Sequence, residues 1–247
     1  MKLLLINPNI SDSVTALIDS EARRAASPET RITTLTAPFG VAYIETRFEA
    51  LIGAYAAATL AAEHGALHDA VVVAAFGDPG LAGLREALDI PVLGLTESAL
   101  MSACMLGQRF SIIAISRRIT AWYRECVAAN GLADRLASIR HLDQPLADIG
   151  RVQDNHAAHL AALCERAVDE DGADVIVLAG APLAGLARSL KSRLPVPVVD
   201  GVSSAVRHAE TLVALQSGTA RRGSFAPPPQ KPNRGLPPAI EALLRRQ

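Results

Sequence analysis

Short apolar runs recur along this chain with longer amphipathic stretches between them. KLLLIN (2–7) is too uniformly apolar for a half-exposed strand and predicts a buried one, as in a parallel sheet. Residues 12–25 follow with helical spacing, and Ser11 or Asp12 can cap them. RITTLTA (31–37) alternates as a strand does. The alanine-rich stretch 45–64 predicts a helix stopped by Gly65. The same reading gives strands at 69–76, 91–95, 109–116 and 137–142. It gives helices at 80–88, 97–106, 119–130 (ended by Asn130-Gly131), 153–170 and 202–216. Strands alternating with helices of this length predict an α/β fold, with parallel sheets flanked by helices.

Two stretches are versions of one unit. DAVVVAAFGDPGLAGLREALDIPVLGLTESA (69–99) and DVIVLAGAPLAGLARSLKSRLPVPVVDGVSSA (174–205) share an acid, an apolar run, a Gly/Pro turn and the phrase Leu-Ala-Gly-Leu. A helical stretch, a proline-led apolar run and a serine follow in both. The strand RFSIIAIS (109–116) also restarts the pattern of KLLLIN. These repeats predict two pseudo-symmetric α/β halves facing one cleft. Residues 1–97 form the first half, joined by the helix 202–216, and residues 98–201 form the second. From 217 to 247 the chain is proline-rich, an irregular arm ending in a short helix, AIEALLRR, which can dock on the body or on a neighbouring subunit.

Composition narrows the function. The chain has 247 residues, half of them hydrophobic and 4% aromatic, and a net charge of −1. It therefore carries no basic field for nucleic acid and no polybasic membrane patch. Arg221-Arg222 and Arg245-Arg246 read as a solvated tail. Four apolar residues after Met1-Lys2 are too few for a signal peptide, and no run approaches a membrane span, so a cytoplasmic location is expected. Cys104, Cys126 and Cys164 fit neither a metal spacing nor a disulfide framework and read as small buried hydrophobes. His156 and His159 share a helix face without a third ligand, so no metal is expected. His64 and His68 flank a helix stop and read as surface residues.

Ligands of open parallel sheets bind beyond the carboxyl ends of the strands. Those ends carry Asn7-Pro8-Asn9, Ala75-Phe76-Gly77-Asp78, Ser116 with Thr120, and Gly180-Ala181-Pro182. Glycine-bearing turns at helix starts present N–H groups to anions, and Asn7 and Asn9 add amide donors. These features favour a small carboxylate or amide-like ligand. Asp78 reads first as a cap for the helix that follows it, and second as a base. Glu45 is a candidate base or a helix-start glutamate, and Tyr43 a candidate base or a core residue. Ser98 and Ser204, at matching repeat positions, read as helix caps.

With NPN after the first strand, FGDPGL after a middle strand and Leu-x-x-Ala-x-x-Ala-Gly-Leu in the second half, the chain resembles the aspartate/glutamate/hydantoin racemase family. The hydantoin and allantoin racemase branch is the nearest in pattern, and the resemblance spans roughly 1–216. It implies cofactor-free racemisation by two cysteines on opposite faces of a substrate carbon. Matched by motif, those positions are Ala75 and Gly180, neither of which titrates, and none of the three cysteines is expected near either turn. The expected function is an isomerase acting on an amino acid, hydantoin or cyclic ureide with altered catalytic groups. Glu45 or Asp78 would serve as base, and the amides near Phe76, Gly77, Gly180 and Ala181 would hold the substrate. The alternatives are a carboxylate- or ureide-binding protein without turnover and an arylmalonate-decarboxylase-like lyase. A homo-oligomer is expected, with no nucleic-acid or membrane partner.

Overall fold

The computed structural model describes residues 1–143 and 148–245, so Arg246 lies outside it. The chain runs β1 (Lys2–Asn7), α1 (Asp12–Ala25), β2 (Arg31–Thr36), α2 (Arg47–His64), β3 (Ala70–Val73), α3 (Leu81–Ala87), β4 (Val92–Gly94) and α4 (Leu95–Leu106). It continues β5 (Phe110–Ala114), α5 (Thr120–Ala129), β6 (Leu136–His141), α6 (Val152–Asp169), β7 (Val175–Leu178), α7 (Leu186–Leu190), β8 (Val198–Asp200), α8 (Gly201–Leu215) and α9 (Pro238–Arg245). The strands form two four-stranded parallel sheets, ordered β2-β1-β3-β4 and β6-β5-β7-β8. The second order is the first advanced by four, so the repeat seen in the chain is a repeat of topology.

The apolar runs form the centres of these sheets. Leu3, Leu4, Leu5 and Ile6 of β1 and Val175, Ile176 and Val177 of β7 have no exposed surface, each contributing about 2 kcal/mol of burial. Ser11 caps α1, its Oγ accepting from Val14 N at 3.3 Å. α2 begins later than expected because Thr46 and Glu49 form a reciprocal capping box, which leaves Glu45 in the lead-in.

α4 and α8 are exchanged between the sheets. α4 follows β4 but buries Ala99, Leu100 and Ala103 in the core of the second sheet. α8 follows β8 but buries Val202, Ala205, Val206 and Ala209 against β1 and β3. The division expected at 97/98 falls inside α4, a helix that packs across the junction. Ser98 and Ser204 are not caps, because both lie inside their helices. Asp200 caps α8, accepting from Ser203 N at 2.9 Å.

Of the two expectations for the arm, a solvated Arg221-Arg222 cluster and a docked terminal helix, the structure corrects the first at Arg221 and places the helix on the body. Arg221 pairs with Asp89 at 2.9 Å, and Leu243 of α9 is buried against α2 and α3 of the same chain.

Candidate functional site at the junction of the two halves

β3 and β7 occupy the same place in their sheets, and each ends in a turn that leans on the other half. After β3, Phe76 packs on Tyr123 of α5, with ring centroids 4.7 Å apart. Gly77 lies directly beneath Trp122, so a Cβ there would stand 2.2 Å from the indole ring. After β7, Ala181 and Ala184 enter the core that α1 builds on the first sheet. α1 follows β1 and α5 follows β5, so these contacts are reciprocal. Each turn is thus set against the first helix of the opposite half. Gly77→Ala should lower stability by about 3 kcal/mol through overpacking and its φ of +102°, read as a lower urea midpoint.

Ala75 and Ala181 are buried, and Gly180 is half-buried with φ +113°. A Cβ at Gly180 would meet only Pro182 Cδ, at 3.5 Å. Among the described residues the backbone N–H groups of Ala75, Phe76 and Gly180 make no hydrogen bond. Two hydroxyls are also buried without a partner among the described residues, Tyr43 Oη and Thr120 Oγ1. Buried donors are as a rule satisfied, so this group of N–H and O–H donors fits an acceptor-rich ligand.

Several expected roles change. The Gly77 N–H is not free for a ligand, because it donates to Thr96 Oγ1 at 2.5 Å. Asn7 is spent on its own loop: Nδ2 reaches Asn9 Oδ1 (3.0 Å), Ser11 O (3.2 Å) and Thr15 Oγ1 (2.9 Å). Asn7 Oδ1 accepts from Asn9 N at 3.3 Å. The short polar turn after β1 needs these bonds to close, so Asn9 Nδ2 is the amide left over.

Asp78 caps a helix, but not the one that follows it. Its φ of +48° swings the carboxylate back to the start of α4, where it accepts from Thr96 N at 2.8 Å and Glu97 N at 2.9 Å. Gly94 makes room for it, since a Cβ there would stand 2.2 Å from Asp78 Cγ. Both oxygens are thus engaged away from the turn, and Asp78 is a poor candidate base. Burial raises its pKa to about 7, against the lowering effect of the two amides. With a folded pKa above the unfolded value, the native state binds more protons between about pH 4 and pH 7. Stability should therefore fall across that window as pH rises, and Asp78→Asn should flatten the decline in pH-dependent urea midpoints.

Glu45 and Ser116 are brought together from different halves, Ser116 Oγ donating to Glu45 Oε1. Arg118 Nε stands 3.8 Å from Oε2, and Arg47 of α2 reaches Glu125 of α5 with Nε–Oε2 2.8 Å. The segment leading into α2 is thereby fastened over the junction, with Ile44 buried in the core of the second half. Burial and the nearby Glu45 and Glu49 raise the pKa of the Tyr43 phenol, which is thereby kept as a donor.

Three further residues were not expected here. Cys126 Sγ lies 3.9 Å from Gly77 O, so one cysteine does sit against the first turn. Burial pushes its thiol up to about 12, which leaves it protonated and unsuited to act as a thiolate base. Gln153 Nε2 donates to Pro182 O and Ala184 O, both at 2.9 Å, and fixes the second turn. Glu21 of α1, buried, accepts from Arg24, Arg188 and Ser203 Oγ. His156 and His159 have ring centroids 6.4 Å apart. No group of three metal-ligating side chains is present among the described residues, nor is a helix long and apolar enough to cross a membrane.

Two parallel sheets of one strand order, flanked by helices, define a pseudo-symmetric α/β protein. The chain belongs to the Asp/Glu/hydantoin racemase family, whose profile matches residues 3–209. A hydantoin racemase from Paenarthrobacter aurescens is 37% identical, covering 94% of this chain and 99% of that one. The allantoin racemase from Klebsiella pneumoniae superimposes with a TM-score of 0.93 at 34% identity, covering 97% of this chain and 98% of the other. An allantoin racemase from Pseudomonas fluorescens gives 0.89 at 34% identity, over 95% of this chain and 100% of that one.

Proposed function

We propose that this protein is a cofactor-independent isomerase that holds a cyclic ureide or a related amino-acid derivative between the two turns and labilises its α-hydrogen without thiols. The observation that carries the reading is the group of donors without protein acceptors: the amides of Ala75, Phe76 and Gly180 with the hydroxyls of Tyr43 and Thr120. Donors placed around a ring carbonyl stabilise the enolate formed when the neighbouring carbon loses its proton. Full-length relatives named as hydantoin and allantoin racemases support a ureide as the ligand class.

Ala75 and Gly180 stand where the family motif implies its two thiols, so neither face carries the expected acid or base. Glu45, half-buried at the junction, is the base in this reading. A single carboxylate works on one face of the ring. Returning the proton to that face regenerates the original enantiomer, so inversion requires the ligand to turn over or solvent to protonate the far side. Exchange of the α-hydrogen should therefore outrun racemisation. In deuterated water, NMR of a 5-substituted hydantoin should show exchange that survives replacement of all three cysteines. It should fall by about 10²–10⁴-fold in Glu45→Gln. Exchange unchanged by that substitution would remove Glu45 from the reaction.

One observation favours a second reading, binding without turnover: the Glu45 and Asp78 carboxylates are already engaged by protein donors. Saturable binding of the ureide with no exchange would select it. The reading includes a cytoplasmic location, and it includes self-association, since Phe48, Leu51 and Tyr55 form an exposed stripe on α2. Loss of a larger species in Leu51→Glu by sedimentation would support it.

A further inference from the structure

Away from the turns, a cavity of about 460 Å³ opens between α1, α4, α7, α8 and the edge strand β8. Its floor is apolar, made by Leu106, Ala187, Pro197, Val198 and Val199. Its rim carries four cations, Arg24, Arg188, Lys191 and Arg207, against one acid, Asp200. Arg24 and Arg188 share a single carboxylate, that of Glu21. Arg207 is balanced by Glu210 at 2.9 Å. Lys191 has no ion pair among the described residues, so the rim keeps positive charge after its internal pairs are made.

The equivalent edge of the first sheet is treated differently. There β4 is flanked by the chain's own arm: Pro91 and Val92 share a small cavity with Ser217–Ala220 and Phe225. Arg85 donates from Nε to Val92 O at 2.9 Å and stacks over Phe225 at 5.8 Å. Among the described residues no such segment covers β8. The basic rim is particular to the second half: the smaller cavity between β4, α4 and α8, lined by Leu93, Glu97, Ser98, Met101 and Leu212 among others, carries no arginine or lysine.

From this geometry the structure assigns to the β8 groove a second binding site, separate from the turns, for a small organic anion with an apolar body. The body lies on Val198, Val199 and Leu106, and the anion meets Lys191 with Arg188 or Arg24. Ser204, which also lines the groove, adds a hydroxyl. Arg188 sits just beyond the second turn and holds Glu21 of α1, so an occupant here bridges the two halves and stabilises their junction by mass action.

The test uses phenyl phosphate and phenylacetate as probes, which separate a phosphate ester from a carboxylate, with inorganic phosphate as the anion lacking a body. Calorimetric titration of the full chain should show one saturable site for at least one aromatic probe. Inorganic phosphate should bind about ten-fold more weakly or worse, because the apolar contact is lost. Lys191→Glu, a change at an exposed side chain, should weaken the probe by at least about ten-fold through charge reversal. Glu45→Gln should leave the affinity unchanged. Three results would each overturn the assignment: no saturable heat up to about 10 mM (a Kd that weak is under about 3 kcal/mol of binding), equal affinity in Lys191→Glu, or displacement of the probe by a hydantoin.

Discussion

Placing cysteine at both Ala75 and Gly180 should raise the rate of hydantoin racemisation by several orders of magnitude over the parent chain. One positioned acid or base contributes about 10²–10⁴-fold, and the double variant supplies one for each face. The two positions should differ in tolerance. Ala75 already carries a Cβ, so Ala75→Cys adds a single sulfur at a buried turn. Gly180 has room, its nearest neighbour being Pro182 Cδ at 3.5 Å, but its φ of +113° is one that L side chains rarely adopt. Gly180→Cys should therefore cost about 1–3 kcal/mol in backbone strain. Ala75→Cys alone should speed exchange on one face more than inversion, and only the pair should bring the two rates together. Chiral chromatography beside deuterium incorporation reads both. A folded double variant with no gain on any hydantoin, allantoin or amino acid would refute the pairing of these turns with the family's thiol positions.

The second large effect is on stability. Glu21→Ala should lower the unfolding free energy by about 2–3 kcal/mol, measured by urea denaturation at neutral pH. Glu21 is 3% exposed and joins α1 to α7 through Arg188 and to α8 through Ser203, with Arg24 of its own helix as a third partner. Breaking a pair buried on both sides costs roughly 3–5 kcal/mol. Here both guanidinium groups are about half exposed, so water compensates part of the loss. Burial opposes ionisation of Glu21, but the hydrogen bonds from Arg24, Ser203 and Arg188, with the charge of Arg188, outweigh it and hold its carboxyl below the usual range. That contribution is present above the unfolded value near 4.5 and is lost as pH falls through the folded one. Glu21→Ala should accordingly shrink the acid-side loss of stability. An unchanged midpoint at pH 7 would mean that the junction is held by apolar packing alone.

Much of the architecture is legible in the chain because it is local. β1, β3 and β7 are centred on uniformly apolar runs, and β5 on one broken only by Ser111, which only a sheet covered on both faces can bury. The helices between them carry caps and stops within a few residues of their ends. The repeated unit is likewise visible in linear order, and with it the equivalence of Ala75 and Gly180. The site is less legible. Nothing near Asp78 in sequence says that its carboxylate will cap α4 and not α3, since that depends on a positive φ and on the missing side chain of Gly94. Cys126 is about fifty residues from Gly77, and Gln153 carries no motif at all.

The sequence by itself determined the α/β class, the two parallel halves and the absence of any titrating side chain at the paired turn positions. These follow from residue identity and short-range periodicity, which survive without knowledge of neighbours. Only the tertiary structure decided which donors remain for a ligand. Hydrogen-bonding groups are saturated by whatever the fold brings near: the amides of Asn7 and Gly77 are consumed, while those of Ala75, Phe76 and Gly180 are not. It also decided that α4 and α8 exchange sheets and that four cations gather beside β8. Those outcomes depend on contacts between residues a hundred positions apart, whose energies no local pattern encodes.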